Sequence, residues 1–222
     1  MQLRALVEVW PSETLVYIQE LPGALASGAT TREALAALAD AVEAHLGWLA
    51  GNGFAFDAAE EIGIEVVEQM IAGDGVGPLF VVDRETLYDA RLNLALRIGA
   101  LARRDLIDVY RSMSAVRRER VVDGGGWSVA AHLRHVAELD LAYTAPLARV
   151  GVEPVVLPGD PVAALQVSGR IAAERLEAVP PEARGTVFQT DSGEQWTASK
   201  AVRRMTAHLR EHLHWVLALA RG

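Results

Sequence analysis

Apolar and polar positions alternate at the start of the chain, where Ala5, Val7 and Val9 interleave with Arg4, Leu6, Glu8 and Trp10, and after Pro11-Ser12 a second run extends from Thr14 to Glu20. A two-residue period on both sides of a turn predicts two antiparallel strands. Leu21-Pro22-Gly23 stops the second strand, because proline has no N–H to give to a ladder. Thr30 or Thr31 with Glu33 then has the form of a helix N-terminus, and Leu35, Leu38, Val42, Leu46 and Leu49 recur at three and four. That stripe predicts a helix to about Ala50, packed by one face on a sheet and ended by Gly51-Asn52-Gly53. Ile62, Ile64 and Val66 alternate with Gly63 and Glu65 as a further short strand would, and Gly73-Asp74-Gly75-Val76-Gly77-Pro78 supplies a flexible boundary. Residues 1–75 therefore read as a small ββαβ domain, and the fold class as α+β.

Beyond Asp83, read as an N-cap, the periodicity becomes helical over Glu85 to Ser114, Ser128 to Leu147, Pro161 to Ala178 and Ala198 to Ala220. Four long amphipathic segments over residues 83–222 predict a four-helix bundle. Gly124-Gly125-Gly126 separates the first two helices. Val187-Phe188-Gln189 and Gln195-Trp196, flanking Asp191-Ser192-Gly193, form a candidate hairpin before the last helix. No internal repeat or low-complexity segment interrupts this order.

Composition narrows the chemistry. Half of the 222 residues are hydrophobic, which excludes a disordered chain and suffices for one large core or two modest ones. No stretch approaches the roughly 20 apolar residues needed to span a bilayer, and Met1 to Trp10 lacks the pattern of a secretory signal, so a cytoplasmic protein is expected. The absence of cysteine removes disulfides, thiolate ligands and a cysteine nucleophile together, leaving imidazole and carboxylate as the strong metal-binding groups. A net charge of −8 opposes general attraction to nucleic acid, although Arg117, Arg118 and Arg120 form a local basic patch.

The histidines carry the candidate chemistry. On a wheel of about 100° per residue centred on His212, His208 falls near −40°, and Met205, Leu209, Val216 and Leu219 lie within about 60°. Two imidazoles on an apolar stripe need partners, because an unpaired buried polar group costs roughly 1–3 kcal/mol. The i,i+4 spacing lets both rings converge on one ion, which outweighs the blander reading of two hydrogen-bonded core histidines. His214 falls at about −160°, beside Arg210 and Arg203, and reads as solvated. His45, alone in its helix, reads as half-buried and structural. In the second bundle helix His132 and His135 both remain eligible, since Val129, Leu133, Val136, Tyr143 and Leu147 centre the apolar face nearer His132.

Gly126-Trp127-Ser128-Val129 followed by Leu133-Arg134-His135-Val136-Ala137 resembles the second helix of the DinB-like (YfiT-like) metalloprotein superfamily. Gln195-Trp196-Thr197, leading through Lys200 and Arg203-Arg204 to His208-x-x-x-His212, resembles the fourth helix of that superfamily, and Arg103-Arg104-Asp105-Leu106 the first helix of a bacterial subgroup. The resemblance, over residues 83–222, implies a three-histidine metal site of His135, His208 and His212, with His132 a neighbour. Asp140 and Tyr143 stand where a Glu and a Tyr are expected. Residues 1–72 separately resemble the HicB-like antitoxin domain, a small partial ribonuclease-H-like fold, through Tyr17-Ile18-Gln19-Glu20-Leu21-Pro22-Gly23 and Gly28-Ala29-Thr30-Thr31-Arg32-Glu33-Ala34-Leu35. Ala24 stands where a Cys is frequent, no catalytic acidic set carries over, and the chain continues into the bundle where many such antitoxins have a DNA-binding tail.

Three neutral imidazoles can hold Zn²⁺, Ni²⁺ or Fe²⁺ and leave a position open to water or substrate. The resemblance implies a metal-dependent transferase or hydrolase acting on a small molecule, with a low-molecular-weight thiol as co-substrate in some members. Glu138, Asp140, Tyr143 and Glu211 are candidate supporting groups around the ligands. The competing expectation is a non-enzymatic binding protein, in which the HicB-like part takes a small toxin-like partner and the bundle is metal-stabilised. The DinB-like resemblance also implies a homodimer, for which surplus apolar surface at Leu92, Leu96 and Ile98 is the expected contact.

Overall fold

The computed structural model describes residues 1–55, 62–73, 76–121, 126–148 and 154–221. Among these, strand β1 (Gln2–Val9) pairs antiparallel with β2 (Thr14–Ile18), in a register that sets Val7 opposite Val16 and Leu6 opposite Tyr17. A third strand, β3 (Leu25–Gly28), folds back on β2, and β4 (Gly63–Ile71) lies parallel to β1 on its other side. The sheet order is β3-β2-β1-β4. The first layer thus has a strand that the ββαβ expectation lacks. Its helical segment is also divided, at Ala37, into α1 (Thr31–Ala36) and α2 (Leu38–Gly51). Thr30 caps α1 by accepting from the Glu33 N–H, and Gly53, at φ +81°, turns the chain after α2.

The two-residue period gives the sheet two different faces. Leu3, Ala5, Val7, Val16 and Ile18 point to one side, where they pack with Ala34, Leu38 and Val42 of α1 and α2. Leu6, Leu15 and Tyr17 point to the other, against Phe80, Val82 and Ala207. β4 is nine residues long, and Val66, Val67, Met70 and Ile71 along it are exposed. Asp74 and Gly75 of the predicted boundary lie outside the described residues.

Four long helices follow: α3 (Asp89–Ser112), α5 (Val129–Thr144), α6 (Pro161–Glu177) and α7 (Ala198–Arg221), with a short α4 (Ala115–Glu119) after α3. Ser128 caps α5 and Asp160 caps α6, each accepting from the N–H three residues on. Gly124 and Gly125 lie outside the described residues. A small hairpin of β5 (Phe188–Gln189) and β6 (Gln195–Trp196) precedes α7. The core of this part gathers Leu106, Leu133, Val136, Leu165, Leu176, Met205 and Leu209 from the four long helices. None of the described helices is long and apolar enough to cross a membrane.

Three expectations are corrected here. Leu92 and Ile98 are buried inside their own chain and Leu96 packs against the same core, so α3 offers no surplus apolar surface at these positions for a second copy. Asp83 is not an N-cap: it lies in a 3-10 turn, Val82–Arg84, and its carboxylate takes Arg203 Nη2 at 2.7 Å and Nε at 3.2 Å. Arg203 is therefore not solvated beside His214. It lies buried between Asp83 and Glu8, because the sheet covers that flank of α7. Arg204 joins the same cluster, with Nη2 at 2.7 Å from Glu8 Oε1 and Nη1 donating to the Tyr17 hydroxyl at 3.2 Å. Lys200, fully buried, donates to Glu194 Oε1 and to the carbonyls of Gly77 and Gln195. This polar seam fixes the position of α7 against the sheet.

Candidate metal centre

α7 carries His208 and His212 one turn apart, and α5 brings His135 to them. One ring nitrogen from each of the three lies within 4.8 Å of the others. The ring centroids of His208 and His212 are 4.3 Å apart, and His135 lies 5.0 Å from His208 and 5.1 Å from His212. Met205, Leu209, Leu213 and Val216 of α7 are buried, His212 with them, while His135 and His208 are half-buried.

Burial acts on the protonation of all three. It is the largest influence holding His208 down to about 3 and His212 down to about 2, aided by neighbouring imidazoles, and it lowers His135 against the opposing pull of Glu138. At neutral pH the rings are neutral, and each has a lone pair to give. That donor set suits a borderline divalent ion, and the three protein ligands would leave coordination positions free.

His132 occupies a place that helical periodicity alone did not settle. It stands outside the trio, with Nδ1 at 2.7 Å from His212 Nδ1. One of those nitrogens must carry the proton. With the proton on His212 Nδ1, the Nε2 lone pair of His212 is left for an ion, the tautomer a ligand histidine needs. Trp127, at the start of α5, covers the cluster from the solvent side. Its ring is 4.3 Å from that of His135, edge-on, and 6.1 Å from that of His212, stacked. The indole itself remains 45% exposed, so the covered edge of the cluster faces a way out to solvent.

The candidate supporting groups divide. Tyr143 reaches the cluster, its ring 5.8 Å from His208 and 5.6 Å from Trp196, and burial pushes its phenol up to about 12, so it stays a neutral donor. Asp140 does not support the histidines. Its buried carboxylate accepts from Arg103 Nε and Nη2 and from Ser168 Oγ, and its role is to join α3, α5 and α6. Burial raises its pKa even against Arg103. Glu138 is exposed and acts on His135 only through its charge. Glu211 lies half-buried on α7 and faces a cleft toward α2, where burial and Glu13 raise its pKa.

The two histidines set apart by periodicity separate as well. His214 is exposed. His45 is 3% exposed rather than half-buried, and neither of its ring nitrogens has a hydrogen-bond partner. No family model, curated protein or solved structure matches the chain.

Proposed function

We propose that this chain is a divalent-metal-binding protein of the DinB-like (YfiT-like) kind, with His135, His208 and His212 as ligands, serving as a metal-dependent thiol transferase or hydrolase of a small molecule. The observation that carries the reading is the approach of three neutral imidazole nitrogens to within 4.8 Å on two facing helices. The spacing of Trp127 to His135 and the His208-x-x-x-His212 pair support the family assignment. Zn²⁺, Ni²⁺ or Fe²⁺ bound there would supply Lewis acidity, lowering the pKa of a water or thiol or polarising a carbonyl. The chain's own groups would do the rest. His132 orients His212 through Nδ1, the neutral Tyr143 phenol can donate a hydrogen bond beside His208, and Trp127 limits access from solvent.

Elemental analysis after loading with each ion and desalting tests the reading. About one metal per chain is expected, lost in His208→Ala, and less than about a tenth would refute the site. At free metal about 100-fold above Kd, binding to the folded state adds about 2.7 kcal/mol and raises Tm by roughly 5–11 °C, reversed by a chelator.

One observation favours the non-enzymatic reading of the HicB-like part: β4 lies at the edge of the sheet, with Val66, Val67, Met70 and Ile71 exposed. Turnover of thiol adducts or small esters that requires metal and disappears in His208→Ala decides for the enzyme. Capture of a small toxin-like protein without such turnover decides for the binding module.

A further inference from the structure

Away from the histidine trio, α7 borders a cleft of about 530 Å³ whose opposite wall is built from β3 and α2. None of His135, His208 and His212 lines it. Two of its polar groups are left without partners. Both ring nitrogens of His45 are closed off from solvent and make no well-aligned hydrogen bond, the Pro22 carbonyl being the backbone acceptor that acts on the ring. Beside it stands Arg210, whose Nε is buried with no acceptor, and no described carboxylate lies within ion-pair distance of its guanidinium. The guanidinium is held over the Trp48 ring at 3.8 Å, which fixes its plane without consuming its donors.

The approach of these two groups is built into the backbone. Gly23, at φ +89°, lies between them: a Cβ there would come within 2.9 Å of Arg210 Cγ and 3.2 Å of His45 Cε1. Arg210 is therefore packed against His45 at the cleft, with no described acceptor to receive its guanidinium. Buried polar groups are almost always paired, so a guanidinium with a buried, unreceived Nε beside a cavity points to an acceptor supplied from outside. The guanidinium fork matches a carboxylate in geometry and charge.

The rest of the lining narrows the ligand. Leu25, Ala26, Ala37, Ala41 and Ala44 offer apolar wall, and Trp215 an aromatic one. Asp40 and Glu211 also border the cleft, and their charge would repel a dianion such as phosphate more than a single carboxylate. We propose that this cleft is a second binding site, for a small monocarboxylate with an apolar body, whose carboxylate is received by the terminal nitrogens of Arg210. It does not depend on the metal reading, since no ligand histidine contributes to it.

Ligand-observed ¹⁹F NMR with 4-fluorobenzoate tests the site, on protein stripped of metal and then freed of chelator, so that carboxylate coordination to an ion cannot contribute. Saturable broadening in the millimolar range is expected for so small a probe, competed by benzoate. 4-Fluorobenzylamine and 4-fluorobenzamide should show at least about tenfold weaker binding, as should the probe with Arg210→Met, since a charged hydrogen bond is lost in each case. Ala44→Phe fills the cleft from an exposed helix position while leaving Arg210 and His45 in place, and it too should abolish binding. Binding should be unchanged in His208→Ala. No saturable binding, equal binding of the amide, or binding that survives Ala44→Phe overturns the proposal. Loss in His208→Ala alone would assign the probe to the histidine cluster and overturn it equally.

Discussion

Asp83→Asn isolates the charge that holds α7 to the sheet. The substitution keeps size and shape but leaves Arg203 and Arg204 facing Glu8 alone, two buried cations against one anion where the native seam has two of each. Asp83 accepts two charge-assisted hydrogen bonds from Arg203, at 2.7 and 3.2 Å, and a third from the Phe80 N–H at 3.1 Å. The amide oxygen of the variant can keep one of the Arg203 bonds, but the other donor then faces an NH₂ group, and beyond it Arg203 has only Glu8 Oε2 at 3.4 Å and the Pro78 carbonyl at 3.5 Å. The Arg203 side chain is 6% exposed and Asp83 is 1%, so water cannot take the place of the lost partner. Removing one member of such a buried pair costs about 3–5 kcal/mol, against a total stability of roughly 5–15 kcal/mol for a folded chain. At roughly 2–4 °C per kcal/mol for a chain of this size, Tm should fall by about 6–20 °C. Urea denaturation followed by far-ultraviolet circular dichroism measures the loss, with an unchanged slope expected if only the folded state is affected. The double variant Asp83→Leu with Arg203→Met replaces both charges by apolar groups and should recover most of it. A loss below about 1 kcal/mol for Asp83→Asn would refute the reasoning, because it would mean that solvent reaches the seam.

Other outcomes follow from the same contacts. In metal-free protein His45, at about 3, His208, at about 3, and His212, at about 2, all lie below their unfolded value of 6.5, so the unfolded chain binds more protons between those limits. Their stability contribution is complete above about pH 6.5 and is lost as pH falls toward the folded values; denaturation midpoints measured from pH 7 to 4 should decline, and a flat profile would contradict the burial of these rings. His132→Phe removes the Nδ1 partner of His212 at 2.7 Å, and competition with a chromophoric chelator should show metal affinity falling about 10–100-fold with stoichiometry retained. Gly169→Ala would set a Cβ 2.6 Å from Arg103 Nε, the group that holds buried Asp140. A destabilisation of about 1–3 kcal/mol by denaturant titration is expected, despite the helix propensity alanine adds, and a stabilised variant would show that Arg103 moves freely.

Some of this architecture was legible in residue order, and the rest depended on which surface each helix meets. The stripes of α3, α5, α6 and α7 could be read because their apolar residues recur at three and four and their partners are other helices. The proximity of His208 and His212 followed from a single helical turn and required nothing from the rest of the chain. β3 escaped because Leu25-Ala26-Ser27-Gly28 is too short to show a period, and its strand character comes from pairing with β2. His135 and His132 could not be separated on a wheel, since both lie at the margin of the stripe and only the position of α7 decides which ring enters the trio and which bonds to it.

The polar flank of α7 shows why the remainder was hidden. Lys200, Arg203, Arg204 and Arg210 lie off the apolar stripe, and along a helix such residues ordinarily mark the side turned to water. Here Lys200 and Arg203 are buried, and Arg204 and Arg210 are half-buried, because the sheet and α2 cover that flank. Three of the four found carboxylate partners: Lys200 in Glu194 of the hairpin before α7, Arg203 in Asp83 and Glu8, and Arg204 in Glu8. Desolvation penalises a buried cation unless a counter-charge meets it, and for Arg203 and Arg204 the carboxylates come from distant segments, which no local pattern can reveal, although Arg204 Nε keeps no described acceptor. Arg210, packed beside His45 at the cleft, has no carboxylate of its own among the described residues. Desolvation pushes Arg210 down to about 10, with only the more distant Asp105 to oppose it. A chain that paired the other three buried cations of one helix, and left the fourth against an open cavity, has kept a place there for an acceptor it does not itself supply.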